Sequence, residues 1–359
     1  MIRPVETVAA LATFPLADMS APPGKRVIGL AQNESAFPPS PRAIKAARAA
    51  LERPTIYPDP GWRSLRHAIG GAYGLNPELI LCSAGSMDLI GALILAYVGP
   101  GDRLLSTAHG YGYFRTSALR AGAEYDAVPE PDLTVSVDLL LDAVRAETRL
   151  VAVANPGNPT GTRIPRSAMV HLRDHLPDDV ILLVDEAYAE FTDDLDEPVF
   201  DLVGRGNTVV TRSFSKAYAL AGQRIGWGLF PPALAEQAVK LLTPGGVTQA
   251  SLAAAEAAVQ DRDYLAWLIR ATTAIRETFS GGLTRIGLSP IPSHTNFVLV
   301  PFESEEMAAS AREALLTEAV IVRPMGAYGL PHCLRITVGP AEDMDLALRI
   351  LTDWKASPK

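Results

Sequence analysis

Between residues 77 and 230 short apolar runs recur, separated by segments of helical period: "ELILCSAG", "DRLLSTAHG", "LVAVANPG", "VILLVDEAY", "TVVTRSF" and "IGWGLF". Each run ends in turn-forming or polar residues. Continuous apolar runs of four to eight residues alternating with helices are the pattern of an α/β layer sheet. In such a sheet the functional groups gather where the strands end. The pattern changes at "LLTPGGVTQ", after which a long Ala-rich helical tract, including "EAAVQDRDYLAWLIRATTAIRETF", leads into a smaller unit. There "TNFVLVPF", "AVIVRP" and "LRITVG" read as strands, and "SEEMAASAREALL" and "AEDMDLALRILTDWK" as helices. The expected organisation is an arm over residues 1–30 that joins the small domain, a large domain over 31–245 with a mostly parallel central sheet between helices, and a small α+β domain over 246–359. No internal repeat interrupts it.

Composition excludes several function classes. A formal net charge of −8 and a pI near 5.3 work against a nucleic-acid backbone or an anionic membrane as the main partner. Cys82 and Cys333 are far apart and lack metal-type spacing, so neither a disulfide framework nor a zinc site is expected, and a reducing cytoplasm fits. In "MIRPVETVAALATFPLADMS", Glu6 precedes the apolar run and Pro15 interrupts it, so the segment reads as an arm rather than a signal peptide. "LIGALILAYVG", from Leu89, is too short to cross a bilayer.

Within this framework a few residues carry chemistry. Lys216 stands between apolar or small residues in "TRSFSKAYALAGQRIGWG". Burial or a neighbouring cation lowers a lysine pKa toward the neutral, nucleophilic amine that Schiff-base chemistry needs. Ser213, Ser215 and Arg224 flank it with hydroxyls and a guanidinium fork suited to a phosphate, so a phosphorylated aldehyde would satisfy the whole set. A surface lysine in a polar turn is the alternative. In "SAGSMDLIGALI" the helix start at Ser86 offers free backbone N–H groups to an anion, and Gly85 allows close approach, although Ser86 can equally be a simple cap.

In "VDEAYAEF", Asp185 and Glu186 follow the apolar strand Ile181 to Val184, where a carboxylate must face solvent or meet a cation. A protonated pyridine nitrogen is such a cation, and Tyr188 would then reach a phenolate oxygen of the same ring. "NPGNPTG" forces a rigid turn that fixes Asn158, whose amide can donate to that oxygen. Tyr111 offers a flat face to a planar cofactor, or is a core aromatic. Arg335, and less strongly Arg323, lie in apolar strands where a carboxylate or phosphate partner would offset burial, unless each is in a structural salt bridge. "HLRDH" places His171 and His175 four apart but lacks the HExxH glutamate, and reads as a solvated surface turn. No G-x-S-x-G elbow, P-loop or GxGxxG follows a strand.

Taken in order, "YPDPGWRSLRHAI", "AGSMDLI", "NPGNPTGT", "VDEAYAEF", "SFSKAYALAGQRIGW" and "VRPMGAYGLPHCLRITVG" resemble the fold-type I pyridoxal 5'-phosphate (PLP) aminotransferases of class I/II, and within them the histidinol-phosphate aminotransferase family. The resemblance implies that Lys216 holds PLP through its amine and later moves protons, that Asp185 pairs with the pyridinium nitrogen, and that Asn158 and Tyr188 contact the ring oxygen. Tyr111 would stack on the ring. Ser213, Ser215, Arg224 and the amides near Gly85 and Ser86 would hold the phosphate. Arg335 is similar to the arginine that binds the substrate anion, with Arg323 and Asn158 beside it. Because the family is homodimeric, Tyr57 is expected to reach the neighbouring subunit's cofactor.

The reaction implied is ping-pong transamination of histidinol phosphate with 2-oxoglutarate, an amino donor and an oxo-acid acceptor used in turn. One departure stands out: where the family carries "NEN", this chain has "LAQNESAFPPSP", with Ser35 and Ala36 at the differing positions. An aromatic aminotransferase and a PLP decarboxylase or lyase of phosphorylated amino acids share the scaffold. A non-enzymatic PLP-binding regulator is disfavoured by the filled chemical positions.

Overall fold

The computed structural model describes residues 2–9, 11, 13, 19–52, 54–192 and 198–357. Among the described residues eleven strands run in chain order as β1 (Ile28–Leu30), β2 (Ile80–Ser83), β3 (Arg103–Thr107), β4 (Glu124–Val128), β5 (Thr148–Ala154), β6 (Ile181–Asp185), β7 (Thr208–Ser213), β8 (Gly226–Leu229), β9 (Phe297–Pro301), β10 (Val320–Met325) and β11 (Leu330–Thr337). Seven of them form one sheet in the order β2-β8-β7-β6-β5-β3-β4. Its strands are parallel except for β8, which runs antiparallel to both β2 and β7.

The central strands read as unbroken apolar runs because both faces are covered. With side chains alternating at period two, Leu182 and Val184 of β6 join Val151 and Val153 of β5 in one core, while Ile181 and Leu183 join Leu150 and Ala152 in the other. The helix Ser86–Tyr97 presses Leu89, Ile90, Leu93 and Ile94 into the second core. The smaller sheet has the order β1-β10-β11-β9, and one face packs Val298, Val300, Leu334 and Ile336 against Phe279, Leu283, Leu315 and Leu351 of the surrounding helices.

The mostly parallel sheet, the helices on both faces and the second, smaller sheet match the expected class. Two strands were not foreseen. β1 is three residues long and is held by parallel pairing of Ile28–Leu30 with Val320–Val322, a partner nearly three hundred residues away. β4, "EYDAV", is an edge strand paired only to β3 and half exposed, so it lacks the apolar run that marks its neighbours.

One reading is sharpened and one needs correction. The Ala-rich helical tract consists of two helices, Gln249–Gln260 and Arg262–Arg285, broken at Asp261. Asp261 accepts a hydrogen bond of 2.5 Å from Ser40, the residue capping the helix Pro41–Ala50, so a tertiary contact selects the break. "HLRDH" is the end of the helix Arg166–His175, whose turns bury Met169, Leu172 and Arg173 and leave both histidines exposed. Among the described residues no helix is long and apolar enough to cross a membrane, and no group of three His, Cys, Asp or Glu side chains can hold a metal ion.

Candidate active site

Strand register collects the functional residues at one edge of the large sheet. Ala154, Asp185 and Thr211 are paired neighbours across the C-terminal ends of β5, β6 and β7. Because β8 runs the other way, its first residue, Gly226, lies between Ser83, the last of β2, and Ser213, the last of β7. The chain then turns from β2 through Gly85, at φ 101°, into the helix that begins at Ser86. A side chain at Gly226 would collide with the backbone of Gly85 and Ser86, and one at Gly85 would come within 2.8 Å of the Arg224 guanidinium. These glycines keep the sheet, the helix start and Arg224 packed around one open space.

That space is a cavity of about 530 Å³. Gly85, Ser86, Tyr111, Asn158, Asp185, Tyr188, Ser213, Ser215, Lys216 and Arg224 all line it, as do Gln32, Glu34 and Met87. Ser86 does not cap its helix through a side-chain hydrogen bond, for the cap position is Gly85. The first amides of the helix therefore face the cavity as anion donors. Ser213 accepts a hydrogen bond from the Ser215 amide at 3.1 Å, which closes the turn leading to Lys216.

The electrostatics of the site follow from burial. Asp185 is 5% exposed and its single side-chain donor is Thr211, at 3.1 Å. Loss of water around the carboxylate pushes its pKa up to about 7, against the hydrogen bonds that lower it. Lys216 donates to the carbonyl of Asn33 at 3.0 Å, and burial, reinforced by the positive charges of Arg335 and Arg224, lowers its pKa to about 8. The surface-turn reading of Lys216 thus fails. Burial also raises Tyr188 to about 12, and its hydroxyl accepts from the Asn33 side chain at 2.8 Å.

Glu186, one residue beyond Asp185, points to the other face of the sheet. It meets Arg212 through hydrogen-bonding contacts of 2.9 and 2.8 Å, and the fully buried guanidinium also lies 3.6 Å from Glu190 and 4.7 Å over the Phe200 ring. Replacing Arg212 by Ala takes the guanidinium away from two buried carboxylates, and we expect a loss of about 3–5 kcal/mol of stability, read as a lowered midpoint in urea unfolding.

Arg335 is 6% exposed. It donates to Asn158 Oδ1 at 2.5 Å and to the Ala31 carbonyl at 2.9 Å, and its guanidinium lies 5.3 Å from the centre of the Phe297 ring. It makes no ion pair among the described residues, so the structural salt-bridge alternative is not what holds it. Arg323 is its cross-strand partner in the β10–β11 ladder, and neither arginine is on the wall of the cavity; Arg335 meets it through Asn158, which is. Tyr57 is also off the wall and is 93% exposed, beside Ile56 at 61%.

Two asparagines escaped sequence reasoning. Asn33, at φ 56° and 2% exposed, holds Tyr188 through its side chain and Lys216 through its carbonyl. Asn296 donates from its side chain to the carbonyls of Asn33 at 3.1 Å and Glu34 at 3.0 Å. The one available signal was the "NE" pair in "LAQNESAFPPSP". Asn296 had none beyond its place at the start of a strand.

A cavity at the sheet edge with a low-pKa lysine, a buried acid and an anion cradle defines a class. The chain belongs to the class I and II aminotransferases, whose family model matches residues 25–351, and it is an aminotransferase. More narrowly, it is 40% identical over 356 residues to the histidinol-phosphate aminotransferase of Granulibacter bethesdensis, covering 99% of this chain and 96% of that one. The Rhodospirillum centenum histidinol-phosphate aminotransferase is 41% identical over 338 residues, 93% of each chain. Among solved structures, the histidinol-phosphate aminotransferase of Sinorhizobium meliloti in complex with pyridoxal 5'-phosphate superposes with a TM-score of 0.91 at 29% identity, covering 99% of this chain and 98% of that one.

Proposed function

We propose that this chain transaminates histidinol phosphate with 2-oxoglutarate, using PLP held in the sheet-edge cavity. The observation that carries the reading is the opposed pair in one cavity, Lys216 with its pKa lowered to about 8 and Asp185 with its pKa raised to about 7. Each is out of place in the protein alone and suited to PLP: the amine to its aldehyde, the acid to its ring nitrogen. The Gly85–Ser86 helix start, Ser213, Ser215 and Arg224 form a cradle of amides, hydroxyls and a guanidinium that fits its phosphate. Tyr111 and Ala187, on the wall of the same space, leave room for a planar ring.

When bound, PLP supplies an electron sink for a carbanion at the substrate Cα. Asp185, charged beside a protonated ring nitrogen, keeps that proton in place and so keeps the sink effective. Lys216, neutral once released, takes the proton from the substrate Cα as general base and returns a proton as general acid. Asn158 and Tyr188 orient the ring oxygen, and Asn33 fixes both Tyr188 and the resting lysine. Arg335 anchors the substrate's anionic end, with Asn158 as its present hydrogen-bond partner and Arg323 adjacent on the neighbouring strand.

An Arg335→Ala variant is expected to bind histidinol phosphate about 2–5 kcal/mol more weakly, with the rate of a saturated half-reaction much less affected. An unchanged substrate constant would make Arg335 a structural residue. We further propose that two copies associate with shared sites; in support, Tyr57 is 93% exposed and does not line the cavity of its own chain, so it is free to meet a neighbour's.

The deciding experiment mixes PLP-loaded protein separately with L-histidinol phosphate, L-glutamate, L-phenylalanine and L-threonine phosphate and follows the cofactor spectrum and the products. Rapid conversion by histidinol phosphate and glutamate, with phenylalanine slow, is expected. Preference for phenylalanine would reassign the substrate, and release of carbon dioxide without amination of the cofactor would reject transamination.

A further inference from the structure

A second cavity, of about 590 Å³, lies between the helix Arg262–Arg285 and the segment before β9, and none of its lining residues lines the first. Arg276 on its wall is 8% exposed and makes one hydrogen bond, to the Thr295 carbonyl at 2.8 Å. Among the described residues it is in no ion pair. Its other N–H groups are not sealed in the core but open to the cavity, where a largely buried guanidinium favours an anionic partner. Arg270, almost two turns earlier on the same helix, adds a second positive charge to the wall, and His294 adds a ring N–H. The opposing charge on the wall is Glu277, which is exposed and so screened by water. Phe191, Ile269, Ala274 and Pro292 form an apolar part of the wall, and Thr273, Ser280 and Ser293 add hydroxyl groups.

We propose that this cavity is a binding site for a small organic anion, its carboxylate or phosphate on Arg276 and Arg270 and its apolar body against Phe191, Ile269 and Pro292. The location links it to the catalytic residues by short covalent and hydrogen-bonded steps. Phe191 ends the turn that starts from Tyr188. His294 donates its amide to the carbonyl of Gly161, in the loop that carries Asn158. Thr295, the partner of Arg276, precedes Asn296, whose amide holds the same Asn33 carbonyl that accepts from Lys216. An anion here therefore bears on the backs of the segments that position Tyr188, Asn158 and Lys216, without entering the reacting space.

The test is isothermal titration of the PLP-saturated protein with phenyl phosphate and, separately, with benzoate, which distinguishes the two head groups. At least one probe is expected to bind in a step that Arg276→Gln weakens by tenfold or more, while the cofactor absorbance is unchanged. Arg270→Glu, a substitution on an exposed position that leaves the packing intact, is expected to weaken the same step comparably and covers the case in which Arg276→Gln fails to fold. An Arg335→Ala variant, which perturbs the first cavity, should leave it in place. Absence of binding by both probes, or binding that Arg270→Glu leaves within a factor of two while Arg335→Ala abolishes it, would overturn the proposal.

Discussion

A Lys216→Ala variant is expected to fold normally, to retain PLP without a covalent link, and to lose turnover by on the order of 10⁴-fold or more. The size of the loss follows from the position of the amine. Lys216 is the residue on the cavity wall with both a lowered amine pKa and a flexible stem, and among the described residues no other lysine lines that space. Without it nothing nearby can serve as general base at the substrate Cα: Tyr188 is pushed up to about 12 and is occupied with Asn33, and Asp185 is committed to the ring nitrogen. The fold should survive because, among the described residues, the ammonium donates only to the carbonyls of Asn33 and Gln32, with the Tyr188 ring centre 5.7 Å away. Removing a cation whose burial already lowers its pKa relieves a desolvation cost rather than adding one. The checks are circular dichroism for the fold, gel filtration with absorbance for retained PLP, and single-turnover rates with histidinol phosphate. Turnover within tenfold of wild type would remove Lys216 from the mechanism.

How much of this was legible beforehand depended on whether the signal was local. Asp185, Tyr188, Ser213, Ser215 and Lys216 stand at or just beyond strand ends, where an apolar run meeting polar residues announces itself, and the structure lines one cavity with all five. Ser86 and Gly85 were readable as a helix start, but only the antiparallel β8, which sets Gly226 between the ends of β2 and β7, explains why that start faces Arg224. Asn33 and Asn296 were invisible for the opposite reason. Their bond joins residues 263 positions apart, and each has meaning only once β1 has joined the small sheet. Arg335 was marked by its burial in an apolar strand, yet its present partner, Asn158, lies 177 positions away. The break at Asp261 belongs to the same category, since the local pattern continues the helix and a contact with Ser40 ends it. Tyr57 lies outside the cavity of its own chain, and its expected role came from the family resemblance rather than from any strand end or buried position beside it.

Asp185→Asn should separate stability from catalysis in a way few substitutions can. In the cofactor-free protein the carboxyl holds its proton up to about pH 7, whereas in the unfolded chain it ionises near 3.8. A group with a raised folded pKa favours the native state below the unfolded value and loses that contribution as pH climbs toward the folded one. Between these limits the cost of ionising the buried group accumulates to on the order of 4 kcal/mol. Asparagine has no charge to bury, so the cofactor-free variant is expected to equal wild type near pH 4 and to be more stable at pH 8. With PLP bound the sign reverses. Without the Asp185 carboxylate nothing on this wall would hold a proton on the ring nitrogen of bound PLP, and the proton-transfer step is expected to slow by on the order of 10²-fold or more. Urea unfolding of the cofactor-free proteins at pH 4, 6 and 8, paired with single-turnover rates of the loaded ones, measures both halves. A variant slower in catalysis but no more stable at pH 8 would mean that the carboxylate finds a cation even without PLP, and Lys216, whose charge already favours ionised Asp185, would be the group to remove next. Wild-type single-turnover rates would instead show that the ring nitrogen needs no anionic partner in this cavity.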